Sequence, residues 1–143
     1  MRVSAKAEYA CVAVLELAAH EGSALPVSVK AIAERHDIPQ RYLVQILLQL
    51  KGAGFVASTR GTSGGYRLVL PPEDISLADI MTAIDGPLAE KYMPASAPNS
   101  PAVHAIASTW NEVLDAEREM LQQVTFAELV KRMKRSVENM YYI

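Results

Sequence analysis

Residues Gly61, Thr62, Ser63, Gly64 and Gly65 match G-x-S-x-G, the spacing that raises a nucleophilic serine on a sharp turn. That turn needs a strand before it and a helix after it. Here Tyr66, Leu68 and Leu70 alternate with Arg67 and Val69, the period-two pattern of a second strand. A chain of 143 residues also lacks room for the large parallel sheet of such hydrolases. A P-loop is excluded too, because Tyr66 stands where that loop carries lysine. No other nucleophile and base pair up, so no enzymatic activity is expected. The glycines are read as a hairpin tip, with Arg60 at its shoulder, that allows a tight turn and the close approach of a polyanion.

A second constellation is Arg41, Gln45 and Gln49, spaced i, i+4, i+8. On a helix they form a polar stripe opposite Leu43, Ile46, Leu47 and Leu50. In a major groove Arg forks onto guanine and Gln onto adenine; a merely solvated helix face shows the same pattern. Arg41 and Gln45 are the primary candidates for base contact, with Gln49 and Tyr42 as weaker ones. Around Arg60, the hydroxyls of Ser58, Thr59, Thr62 and Ser63 suit phosphate oxygens, and the arginine suits a narrowed minor groove.

Metal and redox chemistry find little material. Cys11 is the only cysteine, which excludes an intrachain disulfide and any site built from several thiolates. It falls beside Ala7, Val14, Leu15 and Ala18 at helical spacing and reads as a buried small residue, with a redox-sensing thiol as the alternative. No metal and no cofactor are expected. Without an apolar run near the ~20 residues that span a bilayer, and without a signal-like N-terminus, the expected location is the cytoplasm, with no membrane partner.

The elements that must position these residues follow from periodicity. Residues 4–20 read as a first helix closed by Gly22. Ser28 caps a short second helix, 29–36, with Ile32 as its core residue. Asp37 and Ile38 make a tight turn, and Pro39 opens a third helix running to about Gly52. Two short helices about so brief a turn, followed by a hairpin, outline a winged helix-turn-helix. Ser76 and Asp79 form a capping box for a fourth helix ended by Gly86 and Pro87. Residues 87–101 hold four of the eight prolines and read as an irregular linker. From Ala102, the series Val103, Ile106, Trp110, Val113/Leu114, Glu117, Met120/Leu121 and Val124 keeps a three-four spacing for about six turns, more than a small core can cover; Val103, Ile106, Trp110, Val113, Leu114 and Leu121 are its dimerisation candidates. The same helix in a second subunit is the simplest cover; packing back on its own domain is the other. A last helix begins near Thr125, with Glu128 completing a second capping box.

The expected architecture is therefore mainly α with one small antiparallel β-hairpin: a winged helix-turn-helix domain (1–86), a Pro-rich linker (87–101), and a dimerisation helix with a C-terminal segment (102–143). Charge fits that division. Residues 1–72 carry eight Lys/Arg against five Asp/Glu, and residues 73–143 carry six against eleven, so the front half is the one suited to a polyanion.

The strings RVSAKAEYA, VKAIAERHDIPQRYLVQILLQLKGAGFV and STRGTSGGYRL resemble the Rrf-two family of bacterial winged-helix regulators, and DISLADIMTAIDG and VTFAELV fit its later helices. The resemblance implies a cytoplasmic homodimer bound to double-stranded DNA, with the third helix in the major groove and Arg60, beside Gly61, in the flanking minor groove. Arg41, Tyr42 and Gln45 fall where members contact DNA; Val44 stands where the iron-sulfur members often carry Glu, and with Leu48 it suits thymine methyls. Sensor members hold a cluster with three closely spaced linker cysteines, which residues 87–104 lack, and His104 alone cannot replace them. The expected function is thus a clusterless transcriptional regulator, a repressor in the first instance, acting on a roughly palindromic operator and answering to a small molecule, a partner protein or no effector. The alternative is a winged helix that binds protein instead, through Val44 and Leu48.

Overall fold

The computed structural model describes residues 1–97 and 99–141, so Pro98 of the expected linker and Tyr142 and Ile143 of the expected C-terminal segment lie outside the described residues. The elements run α1 (Ala5–Ala19), α2 (Val29–His36), α3 (Gln40–Gly52), β1 (Val56–Thr59), β2 (Gly65–Leu68), α4 (Leu77–Asp85), α5 (Pro101–Gln123) and α6 (Phe126–Tyr141). This is the mainly α fold with one antiparallel hairpin that the sequence predicts.

Hydroxyl caps set most of the helix starts. Ser4, Ser28 and Ser100 accept from the backbone N–H three residues on, and Thr125 accepts from Glu128 in the same way. Ser76 and Asp79 complete the full box, with bonds of 3.1 and 2.9 Å. Glu128 instead directs its carboxylate to Arg132 and Arg135. Between α2 and α3 the chain turns through Asp37, whose φ of 53° is left-handed, a conformation that Asp tolerates.

The centre of the fold is α1, which packs against α2, α3, α4, α6 and β2. Its buried residues are Ala7, Ala10, Ala13, Val14, Leu17 and Ala18, whereas Cys11 and Leu15 are only half-buried. The expected single apolar face is therefore too narrow. A helix enclosed by neighbours on most sides buries residues all round, and alanines let those neighbours come close. Glu16 is buried as well, paired with Arg35 and, at 3.3 Å, with His36, so it fastens α1 to α2.

The hairpin pairs Val56 with Leu68, Ala57 with Arg67, Ser58 with Tyr66 and Thr59 with Gly65. Val27, just before α2, adds a bridge on the other edge of β2: Tyr66 N–H donates to Val27 O at 2.7 Å, and Val27 N–H donates to Tyr66 O at 3.0 Å. This explains two of the three glycines. A Cβ on Gly65 would sit 2.2 Å from Val27 O, and one on Gly64 would sit 2.3 Å from Thr59 O. Both are required by close approach inside the molecule rather than by an outside partner. Gly61, with φ +109°, makes the turn itself.

The chain returns to this core at its far end. Leu77 N–H donates to Val124 O at 3.0 Å, Phe126 N–H donates to Ile75 O at 2.9 Å, and the Phe126 ring is fully buried. With Leu129 and Val130 packed beside it, the start of α6 belongs to the same core as the winged helix. The expected boundary at residue 101 thus does not divide the core.

The bridge to Val27 makes a sharp prediction. Gly65→Ala should cost about 2–4 kcal/mol in urea denaturation, because backbone must move to admit the methyl. Gly52→Ala, at a site with nothing within 4 Å, is the control and should be neutral or mildly stabilising. Equal stability of the two variants would show that the bridge is dispensable.

Candidate nucleic-acid interface

The core fixes which side of α3 faces out. Leu43, Ile46, Leu47 and Leu50 are fully buried. At about 100° per residue, the exposed residues Arg41, Val44, Gln45 and Leu48 lie within an arc of about 100° on the opposite side. Gln49 departs from expectation. Its amide Nε2 donates to the carbonyls of Ala83 and Ile84 at 3.0 and 3.2 Å, so it anchors α3 to the end of α4. An i, i+4, i+8 series drifts about 40° per step, and by its third member it has left the face. Tyr42 lies on the same flank, half-exposed, with its ring edge-on to Tyr9 at 5.8 Å.

The wing adjoins the other flank. Lys51 Nζ donates to Ser58 Oγ at 2.7 Å and ties the end of α3 to β1. Ser58, Thr59, Arg60, Gly61, Thr62 and Ser63 are all exposed along the tip. Lys51 escaped the sequence reading, and so did a stronger signal: residues 38–72 contain no Asp or Glu, while Arg41, Lys51, Arg60 and Arg67 all fall there. Arg67 is used internally, donating to the Ser23 and Ala24 carbonyls at 2.7 Å. Arg41 and Arg60 are exposed on this stretch without Asp or Glu, with exposed Asp37 just ahead of it, and such a stretch suits phosphates.

On α5, Ile106, Trp110 and Val113 are 50, 49 and 57% exposed, and Val103 and Leu114 are half-buried. Leu121 is a correction to the expected stripe: it is buried against Ala78 and Met81 of α4, on the side of α5 that meets its own domain. The Pro-rich segment is irregular, yet it is strapped to α5. Tyr92 N–H donates to Asn111 Oδ1 at 2.5 Å, its ring lies edge-on to Trp110 at 4.8 Å, and Arg118 donates to the carbonyls of Ala89 and Glu90.

A helix-turn-helix whose second helix presents a basic and polar face beside a basic hairpin tip is a winged helix of the DNA-binding class. Comparison with protein families matches residues 3–132 to Rrf2, described as an iron-dependent transcriptional regulator. The chain belongs to the Rrf2 family of DNA-binding transcriptional regulators. It is 33% identical to the HTH-type transcriptional regulator CymR of Bacillus subtilis over 129 residues, which cover 90% of this chain and 89% of that one. Among solved structures it resembles CymR, the global cysteine regulator of B. subtilis (TM-score 0.81, 31% identity, 92% of this chain and 98% of that one). It also resembles T. potens IscR (TM-score 0.75, 32% identity, 95% and 90%).

The donor set does not fit a cysteine-held iron site. The sole thiol, Cys11, lies on α1, and the strap has none. Among the described residues no three His, Cys, Asp or Glu side chains gather as metal ligands, and no helix is long and apolar enough to cross a membrane.

Burial, and then the charge of Asp85, push the Cys11 thiol from 9.0 up to about 11. At pH 8 its thiolate fraction is then about 100-fold below that of an unperturbed thiol. Iodoacetamide should label Cys11 of the folded protein about that much more slowly than that of the urea-unfolded chain. Equal rates would restore the reactive-thiol alternative.

Proposed function

We propose that this protein is a homodimeric repressor that binds a roughly palindromic operator without an iron-sulfur cluster. The observation that carries the DNA-reading part is that residues 38–72, which span α3 and the wing, contain no Asp or Glu and leave Arg41, Gln45 and Arg60 all exposed. Arg41 and Gln45 read base edges in the major groove, with Tyr42 beside them; Arg60 enters the minor groove, and the wing hydroxyls and Gly61 lie along phosphates. Gln49 has no part in reading. Ile106, Trp110 and Val113, flanked by Val103 and Leu114, pair with the same stripe of a second subunit. Two such heads about a twofold axis call for half-sites about one helical turn apart. Occupancy of such a site across a promoter excludes polymerase, which makes repression the proposed sense, and a protein with this role resides in the cytoplasm.

Fluorescence anisotropy on DNA from its own upstream region, against a scrambled duplex at several salt concentrations, tests the reading. Preference for the upstream duplex with a steep salt slope is expected. Arg60→Ala should weaken binding to every sequence and lower the slope by about one. An unchanged slope would remove Arg60 from the interface.

The dimer has a separate test. Val113→Asp puts a charge in the middle of the proposed seam and should convert the dimer to monomer in sedimentation velocity, with α-helical circular dichroism retained. A wild-type protein that sediments as a monomer at micromolar concentration would sink the pairing.

A further inference from the structure

The exposed arc of α3 contains two apolar residues that solubility alone does not favour. Val44 is 36% exposed and Leu48 50%, and they stand one helical turn apart between Arg41 and Lys51. Single exposed aliphatics are ordinary on protein surfaces. Two branched side chains in the middle of the one face that the core leaves outward make a continuous apolar strip about 6 Å long. The surroundings decide what it meets. With no carboxylate between residues 38 and 72, and with Arg41, Lys51 and Arg60 about it, the face suits a polyanion rather than an ordinary protein surface. In a major groove the apolar feature that such a strip can contact is the C5-methyl group of thymine.

We infer that Val44 and Leu48 are specificity-determining residues that select thymines, through their methyl groups, within one or two base steps of each other in every half-site. This rests on the DNA-reading function proposed above and adds a composition to the operator. Arg41 and Gln45 supply hydrogen bonds to purines on either side, while the strip excludes water from a T-containing step. A cytosine in place of thymine has only hydrogen at C5 and carries an amino donor where thymine has its O4 acceptor, so the strip loses its methyl partner and lies beside a polar donor. Gln49, turned away to α4, cannot substitute.

The test begins with selection of duplexes from a random library by the full-length protein. The best duplex is then remade with deoxyuridine replacing thymine one position at a time, which removes only the methyl. Wild-type protein should lose about four-fold in affinity at each contacted thymine, the equivalent of one buried methylene. Val44→Ala and Leu48→Ala should each become insensitive to the methyl at one position, a coupling that general weakening does not produce. Val44→Gln and Leu48→Gln, which replace the apolar contact with a polar group that suits an exposed helix face, should show the same loss of methyl sensitivity and serve if either alanine variant is unstable. A selected motif whose deoxyuridine versions bind as tightly as the parent would overturn the inference and leave the regulator intact. Failure to select any motif, with no salt-sensitive binding to DNA, would overturn the DNA-reading function and the inference together.

Discussion

Four aliphatic side chains on one side of α3 hold the rest of the arrangement in place. Leu43, Ile46, Leu47 and Leu50 are fully buried, each contributing about 1.5–3 kcal/mol of hydrophobic burial. Rotation of α3 about its axis would return part of that surface to water. The orientation of the helix is therefore decided by the core, and the outward arc of Arg41, Val44, Gln45 and Leu48 is what remains. Three contacts at the sides make the setting rigid: Tyr42 against Tyr9, Gln49 on the carbonyls ending α4, and Lys51 on Ser58 of the wing. Specific reading of a groove needs that rigidity, because the recognising side chains depend on the position of the backbone that carries them.

Charge is arranged locally more than by halves. Two basic residues in the front half have internal duties: Arg35 neutralises buried Glu16, and Arg67 closes the loop ahead of α2 through two carbonyls. Neither is free to attract a polyanion, although both enter the net balance. Arg41 and Arg60 matter because no carboxylate lies near them in sequence from residue 38 to 72. Carboxylates close by would weaken the field that draws a phosphate, and this stretch supplies none. Glu16 shows the complementary case, a carboxylate kept inside the front half by burying it against its partners.

Much of this was legible in the sequence, and the failures have a common cause. The helix-turn-helix, the wing, the cap at Ser28 and the box at Ser76 are local features, set by hydroxyl positions and by period. Residues whose role depends on a distant element were misplaced. Gln49 reads as part of a polar stripe until α4 offers it two carbonyls. Leu121 continues an apolar stripe until Ala78 and Met81 claim it. Phe126 gave no sign of completing the core of a domain that begins more than a hundred residues earlier. The glycines divide in the same way: a flexible tip is legible, but the reason for Gly65 lies in Val27, which approaches from before α2.

The Pro-rich strap suggests a hinge between reading head and dimer stripe, yet α4 and α5 are in direct contact across Ala78, Met81 and Leu121. Gln49 joins α3 to the other end of α4. From the outward face of α3 proposed to read bases to the exposed stripe of Ile106, Trp110 and Val113 proposed as the seam there is thus a continuous path of packed helices, with the strap lying along α5. In a twofold dimer built on that seam, the separation of the two α3 helices follows from helix packing, which tolerates little change in distance. Operator spacing is then a property of the α4–α5 contact and not of linker length. In such a dimer, a signal that altered recognition would act on that contact or on the strap where Arg118 and Asn111 hold it, the contacts that join the two surfaces among the described residues.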